Sequence, residues 1–404
     1  MLLILKKFIS RFFHGLTANV IIFGVVSFLT DVSTEMIYPL LPLFLTHTLG
    51  AGPAFLGLIE GIAESLCSFL KLYSGIQSDN ARDRSKWVLF GYTLSSFSKP
   101  FIALAQGPWT VLLVRAADRT GKGLRTSPRD ALLADSTHPQ HHGRAFGFQR
   151  SMDNAGAAVG PLFAWLLLTY YTQDLRVIFW IAAIPGILAV LLILFKVREI
   201  KTSSTRMLKK FNWSIPRGKL GAYLGILFIF TLSASSDAFL LLYAEECGVP
   251  RAHIPLIWMV LHIIKTLTIM PFGILSDRIG RGRIILYGWF IYALVFVLFG
   301  FSSTPLHIWI LFMVFGLFSG CTEGTERAFL VDIAPAGERG QAFGWFNFVI
   351  GLAALPASLL FGIIWKLSSA QTAFFTAASI AFAAAILFSA FLFLTRPSKK
   401  SQHA

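Results

Sequence analysis

Charge is what this 404-residue chain has least of: only 14% of its residues are Asp, Glu, Lys or Arg, against about 25% in an ordinary soluble domain. A surface so poor in charge cannot face water on every side, so a soluble fold is excluded. Acidic residues are the scarcer sign, 20 against 35 Lys and Arg, which leaves a formal net charge of +15. Cysteine is almost missing. Cys67, Cys247 and Cys321 lie far apart in apolar surroundings, with neither metal-ligand spacing nor a disulfide framework, so no metal or other cofactor is expected. Polar stretches long enough to fold as a separate receptor or enzyme domain are missing as well.

What is there is apolar sequence, 55% of the chain, in runs of the roughly 20 residues that cross a bilayer. Twelve spans fit, over 16–45, 53–75, 86–106, 108–131, 143–171, 175–196, 220–246, 252–275, 283–303, 305–330, 340–365 and 371–395. The even number puts both termini on one side. Basic residues gather in alternate short loops: Arg82, Arg84 and Lys86; Arg278, Arg281 and Arg283; Arg339; and the tail with Arg396, Lys399 and Lys400. The connections at 46–54 and 302–306 hold almost none. That asymmetry predicts cytoplasmic termini in a bacterial-type inner membrane. The basicity therefore reads as topology, and nucleic acid is not called for. The opening segment 1–16 has Lys6, Lys7 and Arg11 before an apolar run but no small-residue cleavage site, and is expected to be retained.

The longest connection, 196–219, carries eight Lys/Arg and one Glu. It predicts a basic linker at 199–219, on the membrane surface, between halves at 1–198 and 220–404. An internal repeat supports that seam. Ala131-Leu132-Leu133-Ala134-Asp135 followed by Gly143-Arg144-Ala145-Phe146-Gly147 returns 197 residues later as Ala328-Phe329-Leu330-Val331-Asp332 and Gly340-Gln341-Ala342-Phe343-Gly344. Gly75-x-x-Ser78-Asp79 returns 198 residues on as Gly273-x-x-Ser276-Asp277. Parallel repeats of this kind place a solute site between the halves at mid-membrane.

The fourth span holds the densest charge. Arg115, Asp118, Lys122, Arg125 and Arg129 follow helical spacing and form one stripe, with Arg119 beside it. Gly121-Lys122 suggests a phosphate loop, but Ala116 stands in place of the leading glycine and Gly123 in place of Ser/Thr, so no nucleotide site is expected. Charges at membrane depth must face a cavity or one another. The first span offers Asp31 and Glu35, four apart, with Tyr38 on the same face. These carboxylates can pair with the span-four cations, as a salt bridge to Arg115 or Arg119, or can titrate. A carboxylate out of water holds its proton, whereas one beside Arg releases it, so alternation between the two environments makes a coupling site. Glu60 and Glu64 on span two repeat the spacing, followed by Lys71; span three adds Lys99, and span five adds Arg150, Asp153 and Asn154. The second half contributes Asp237, His262, Lys265, Glu323, Glu326, Arg327 and Asn347, with Glu323 and Arg327 spaced to neutralise each other and His262 a packed histidine.

Over essentially its whole length the chain resembles the major facilitator superfamily. That superfamily's loop signature, G-x-x-x-D-[RK]-x-G-[RK], is matched by Gly273, Asp277, Arg278, Gly280 and Arg281 in the second half. A degraded copy keeps Gly75 and Asp79, has Asn80 where Arg is expected, and is followed by Arg84. Such a carboxylate, meeting loop arginines and a helix N-terminus, acts as a conformational latch. Arg115 and Gly121 match the fourth-helix motif R-x-x-Q-G-x-G, with Asp118 and Arg119 replacing its Gln and first Gly; the aligned position in the second half is Phe312. Gly156 through Gly160-Pro161 is similar to the G-x-x-x-G-P motif of antiporters, without the glycines that should follow, and glycines four apart also simply let helices approach.

The resemblance implies an all-α membrane protein of twelve helices in two pseudo-symmetric six-helix bundles, monomeric, working by alternating access on the proton gradient. Its cavity is lined from spans 1, 4, 7 and 10. The expected substrate-binding or proton-coupling residues are Asp31, Glu35, Tyr38, Glu60, Glu64, Arg115, Asp118, Arg119, Lys122, Asp153, Asp237 and Glu323. The positive excess points to a small anionic solute, an organic acid, a phosphorylated metabolite or a carboxylate siderophore. A drug/proton antiporter is the alternative. A membrane-embedded transferase built on His138, His141 and His142 beside Asp135 is an alternative of another class, and the chain is not expected to be an enzyme.

Overall fold

The computed structural model describes residues 17–80, 84–137, 142–196, 216–334 and 339–395. The expected linker therefore lies almost wholly outside the described residues. Those residues are nearly all helical, and they line up as twelve rods: α1, Ala18–Thr48; α2, Pro53–Asn80; α3, Arg84–Ser98 with Pro100–Ala103; α4, Pro108–Asp135; α5, His142–Tyr170; α6, Leu175–Lys196; α7, Gly218–Ser233 with Ala238–Glu246; α8, Ile254–Ile279; α9, Arg281–Phe301; α10, Pro305–Thr322 with Thr325–Ile333; α11, Arg339–Leu367; and α12, Ala370–Leu394. By length and composition, nine are apolar enough to cross a membrane. The other three, α3, α4 and α5, carry Lys99, the Arg115–Arg129 stripe and the Arg150–Asp153 turn, so their low hydropathy marks the polar interior they share.

Local sequence sets the ends and breaks. Thr17 caps α1 and Ser369 caps α12, each side-chain oxygen accepting a first-turn N–H. Proline opens α2, α4 and α10, where its missing N–H has no partner to lose. Between α8 and α9 a single residue turns the chain, Gly280 at φ +102°, a conformation that favours glycine. Pro39 and Pro42 break α1 into a tight 3₁₀ turn at Tyr38–Leu40 and a widened turn at Phe44–Thr48. α7 unwinds over 234–237 and α10 at Glu323–Gly324, neither with a proline. Phenols answer carbonyls freed near such ends: Tyr292 donates to Ser233 O at 2.8 Å and Tyr243 to Ser302 O at 2.9 Å.

Helices α1–α6 pack as one bundle, with α1 on α5 and α6 and α4 on α2 and α3; α7–α12 pack as another, with α9 on α12 and α10 and α8 on α10. The two meet along α2–α11 and α5–α8. Their interiors differ in kind. The second is aromatic: Phe230 stacks on Trp289 at 4.1 Å, Tyr292 on Phe296 at 4.1 Å, and Phe299 on Phe374 at 5.5 Å. The first is threaded by charge.

At the face bearing the short connections 49–52 and 247–250, called here the far face, the bundles are tied across their pseudo-twofold axis. His47 Nε2 meets Glu245 Oε2 at 2.5 Å, and Glu245 also accepts from Arg251 at 2.6 Å. Deeper in, Tyr38 and Ser236 share a 3.4 Å hydrogen bond. Both cross-bundle pairs are 198 residues apart, the offset of the repeat, so each residue meets its own counterpart as in a two-fold contact. Towards the opposite, basic-loop face the interior opens, and Arg150 and Glu323 have side chains 58% and 50% exposed.

Candidate substrate and coupling site

The rotation of α4 decides which charges face inward. Gly121 lies against Gly91 of α3, and Gly123 against Cys67 and Leu70 of α2. With about 100° per residue, those contacts turn Arg115, Arg119 and Lys122 to the interior. Counted from Pro108 at about 1.5 Å per residue, Arg119 and Lys122 sit near the middle of a hydrocarbon layer about 30 Å thick.

Arg115 is fully engaged. Its Nε donates to Glu60 Oε1 at 3.0 Å, and its Nη2 donates to Oε1 at 2.7 Å and to Oε2 at 2.9 Å. Asp118 Oδ2 lies 3.6 Å from Nη1, and Asp118 Oδ1 accepts from Ser95 at 2.6 Å. The guanidinium stands 5.6 Å from the centroid of the Tyr38 ring. Arg115, Glu60 and Asp118 are each under a tenth exposed, which makes them a closed, paired network. The span-one carboxylates were one expected partner for Arg115; Glu60, at matching depth on the neighbouring α2, takes that place.

Arg119 and Lys122 differ from Arg115. Among the described residues, neither has a carboxylate oxygen within 4.0 Å. Glu64 likewise has no hydrogen bond or ion pair among the described residues, and the charges acting most strongly on it are four cations, Lys71, Arg119, Lys122 and Arg115. Asp31 is also without a hydrogen bond or ion pair among the described residues, set among Asp153, Lys122, Glu35 and Arg125. Its neighbours on α1 turn elsewhere. Glu35 Oε2 accepts from Trp258 Nε1 of α8 at 2.7 Å, and the Tyr38 ring lies 5.1 Å from that indole. One face of α1 thus serves both the first bundle, through Asp31, and the junction, through Glu35 and Tyr38.

Helix α5 reaches these residues because of its glycines. A Cβ on Gly156 would lie 2.5 Å from Phe28 O and 3.0 Å from Asp31 Cβ, and one on Gly160 would lie 2.8 Å from Val32 O. The glycine pair is a close-packing surface for α1. Gly156→Ala is therefore expected to cost about 1–3 kcal/mol by overpacking, read as a lower melting temperature in detergent. Asp153, a turn earlier, accepts from Gln149 at 2.7 Å and faces Arg150 at 3.6 Å.

In the second bundle Asp237 stands at the start of the second α7 segment, yet its side chain caps nothing. Glu323 pairs with Lys265 of α8 at 3.0 Å. It is not paired with Arg327, the partner its spacing suggested. His262 packs edge-on against Trp258 at 4.9 Å, with its Nε2 buried and without a hydrogen-bond partner among the described residues.

The second-half loop motif forms an ion cluster. Arg281 reaches Asp277 at 3.2 Å, Asp332 at 2.6 Å and Ala328 O at 2.8 Å, which fastens the α8–α9 turn to the end of α10. Gly280 supplies the turn, Arg278 is exposed, and a Cβ on Gly273 would meet nothing within 4 Å. In the first copy Arg84 is buried and held, Gly75 lies beside Ser127, and the Asp79 side chain lies outside the described residues. So do His138, His141 and the side chains of His142 and Asp135.

Sequence reasoning named Lys99 without a role, and passed over Trp258 and the His47–Glu245 pair. Lys99, 2% exposed, donates to Thr34 Oγ1 at 2.8 Å and Ser33 Oγ at 3.3 Å of α1; a lysine followed by proline inside an apolar span was its visible signal. Trp258 had no signal beyond being a tryptophan. His47 and Glu245 could have been paired by the repeat offset alone.

A family model described as the Major Facilitator Superfamily matches residues 23–264 and 221–404. The chain belongs to this superfamily. It is 33% identical over 363 residues to the uncharacterized MFS-type transporter MJ1317 of Methanocaldococcus jannaschii, covering 88% of this chain and 91% of that one. A shorter match, 28% over 171 residues and 42% of each chain, is to the multidrug resistance protein MdtH of Photorhabdus laumondii. Among solved structures, the nucleoside transporter NupG superposes with a TM-score of 0.75 at 16% identity, over 93% of this chain and 99% of that one. Membership makes the chain a multi-pass membrane transporter of a small-molecule solute, with the fold of two six-helix bundles.

Proposed function

We propose that this transporter moves a small solute bearing a carboxylate or phosphate group, coupled to protons, with Arg119 and Lys122 as the anion site and Asp31 as a proton site. The observation that carries the reading is the contrast along α4. Arg115 is saturated by Glu60, whereas Arg119 and Lys122, on the same interior face, have no carboxylate within 4.0 Å among the described residues. Two cations at mid-membrane with no close ion pair, in the more distant fields of Glu64, Asp118 and Asp31, leave room for an anionic guest. Asp31 lies within electrostatic reach of Lys122, so an arriving anion and a proton on Asp31 favour each other. The far-face ties hold one access state, and release of the basic-loop cluster around Arg281 permits the other. The halves at 1–198 and 220–404 rock about the 199–219 linker, with all twelve rods crossing the inner membrane of a monomer and both termini in the cytoplasm.

The test is uptake of labelled carboxylates and phosphates into proteoliposomes under an imposed proton gradient. Asp31→Asn is expected to abolish accumulation while leaving solute exchange, and Lys122→Gln to abolish both. Normal accumulation by both variants would sink the assignment. The partial likeness to MdtH supports a second reading, proton-driven export of lipophilic compounds, for which only lipophilic cations would move and Lys122→Gln would be silent.

A further inference from the structure

We infer that the solute is amphoteric: it carries a cationic group as well as the anionic one, and its cationic end is received by Asp237 at the break in α7. This rests on the anion site proposed on α4 and adds a second pole to it.

The two sides of the interior have opposite sign. Around Glu64 on the first bundle stand Lys71, Arg119, Lys122 and Arg115, of which only Arg115 has a carboxylate oxygen within 4.0 Å among the described residues, from Glu60 and Asp118. Around Asp237 on the second stand Glu323, Glu35 and Glu60 against a single Lys265, and that lysine is already paired with Glu323 at 3.0 Å. Glu35 and Glu60 are likewise taken, by Trp258 and Arg115. Asp237 remains the acid with no hydrogen bond or ion pair from its side chain among the described residues.

Its position makes that unusual. An Asp at the first residue of a helix ordinarily accepts an N–H two or three residues on, yet Asp237 makes no such bond. The break also leaves Ser235 Oγ buried with no hydrogen-bond partner among the described residues, while Ser236 Oγ is engaged by Tyr38. An unwound segment offering a free carboxylate and a free hydroxyl at membrane depth is how facing helices present a solute site. Tyr38 and Trp258 stand beside Ser236 and the Arg115 network. Trp258 itself is closed to the guest, buried with its N–H on Glu35 and its ring against Tyr38 and His262.

A guest of one sign leaves one pole uncompensated. A dianion would satisfy Arg119 and Lys122 but face Asp237 across the interior, and a lone cation would do the reverse. An amine-plus-carboxylate or amine-plus-phosphate solute answers both. Because its two ends engage different bundles, it stabilises the state in which the bundles close around it more than any open state, which is the differential binding a population shift needs.

The test is thermal stability of the purified full-length protein against named probes: 6-aminohexanoate and tri-alanine as zwitterions, succinate as a dianion, putrescine as a dication and tetraphenylphosphonium as a lipophilic cation. A ligand confined to the folded state raises the melting temperature. The expected result is a rise with at least one zwitterion, lost in both Asp237→Asn and Lys122→Gln and partly restored in Asp237→Glu, each variant compared with its own ligand-free midpoint. A succinate shift that survives Asp237→Asn, with none from the zwitterions, would overturn the second pole and leave the anion site standing. A shift with tetraphenylphosphonium or putrescine alone would overturn both. No shift with either zwitterion, at concentrations where the other probes are also silent, counts against the amphoteric solute.

Discussion

Arg115→Ala lowers the stability of the folded protein by about 3–5 kcal/mol, the range for breaking a buried ion pair from one side, and most of its transport defect follows from that loss. The guanidinium makes three hydrogen bonds to Glu60 and lies 3.6 Å from Asp118. With Arg115 removed, buried Glu60, 6% exposed, loses the cation it is paired with, while Asp118, 4% exposed, keeps its Ser95 hydrogen bond and the fields of Lys99 and Arg119. The large number describes an orphaned charge and is no measure of what the intact pair contributes. Replacing both members, as Glu60→Gln with Arg115→Gln, leaves neutral groups able to bond to one another, and is expected to recover more than half of the lost melting temperature. A melting curve in detergent for the single and double variants checks this. If Arg115→Ala melts like the parent and only transport is lost, Arg115 belongs to the solute site after all, and the closed reading of its network fails.

That revision of Arg115 shows where sequence stopped being legible. The stripe on α4 could be read, because helical spacing alone places Arg115, Asp118 and Lys122 together. Its partner could not, since Asp31, Glu35, Glu60 and Glu64 all sit at plausible depths on two different helices, and the choice of Glu60 depends on how Gly123 seats α4 against α2. The duplication was legible to the residue: the offset of 198 found in the loop motifs is the spacing of His47 from Glu245 and of Tyr38 from Ser236. The breaks in α7 and α10 were not. α1 announces its break with Pro39 and Pro42, whereas Ala234–Asp237 and Glu323–Gly324 hold no proline, and the partner of Glu323 is Lys265 of α8 and not Arg327. Asp237 and Glu323 could be named from the sequence, but not that both stand at breaks in their helices.

Gly57→Val is expected to shift the protein out of the far-face-closed arrangement. Helices α2 and α11 belong to different bundles, and they touch through small residues. A Cβ on Gly57 would lie 2.3 Å from the backbone oxygen of Ser358, and one on Gly351 would lie 2.5 Å from Ser68 Cβ. A backbone oxygen cannot swing aside as a side-chain tip can, so the helices must separate. Overpacking of this kind costs about 1–3 kcal/mol. On the proposed alternation the cost is specific to one state: if the bundles rock apart at the far face, α2 and α11 part and the added methyls find room. A penalty confined to one side of the equilibrium changes the ratio of the two states by about 5–150-fold. The readout is labelling of Ser236→Cys by a membrane-impermeant maleimide applied from the far face, in a background with Cys67, Cys247 and Cys321 replaced by serine. Ser236 lies at the closed junction with Tyr38, so labelling is slow in the parent and at least about tenfold faster with Gly57→Val, at the lower end of that range. Gly225→Val is the control, since a Cβ on Gly225 of α7 would meet nothing within 4 Å, and it should leave labelling unchanged. Equal acceleration by both variants would mean general loosening. No acceleration by Gly57→Val, with its melting temperature lowered, would mean that α2 and α11 stay in contact throughout the cycle, and the seal between the bundles would then have to open elsewhere, at α5 and α8.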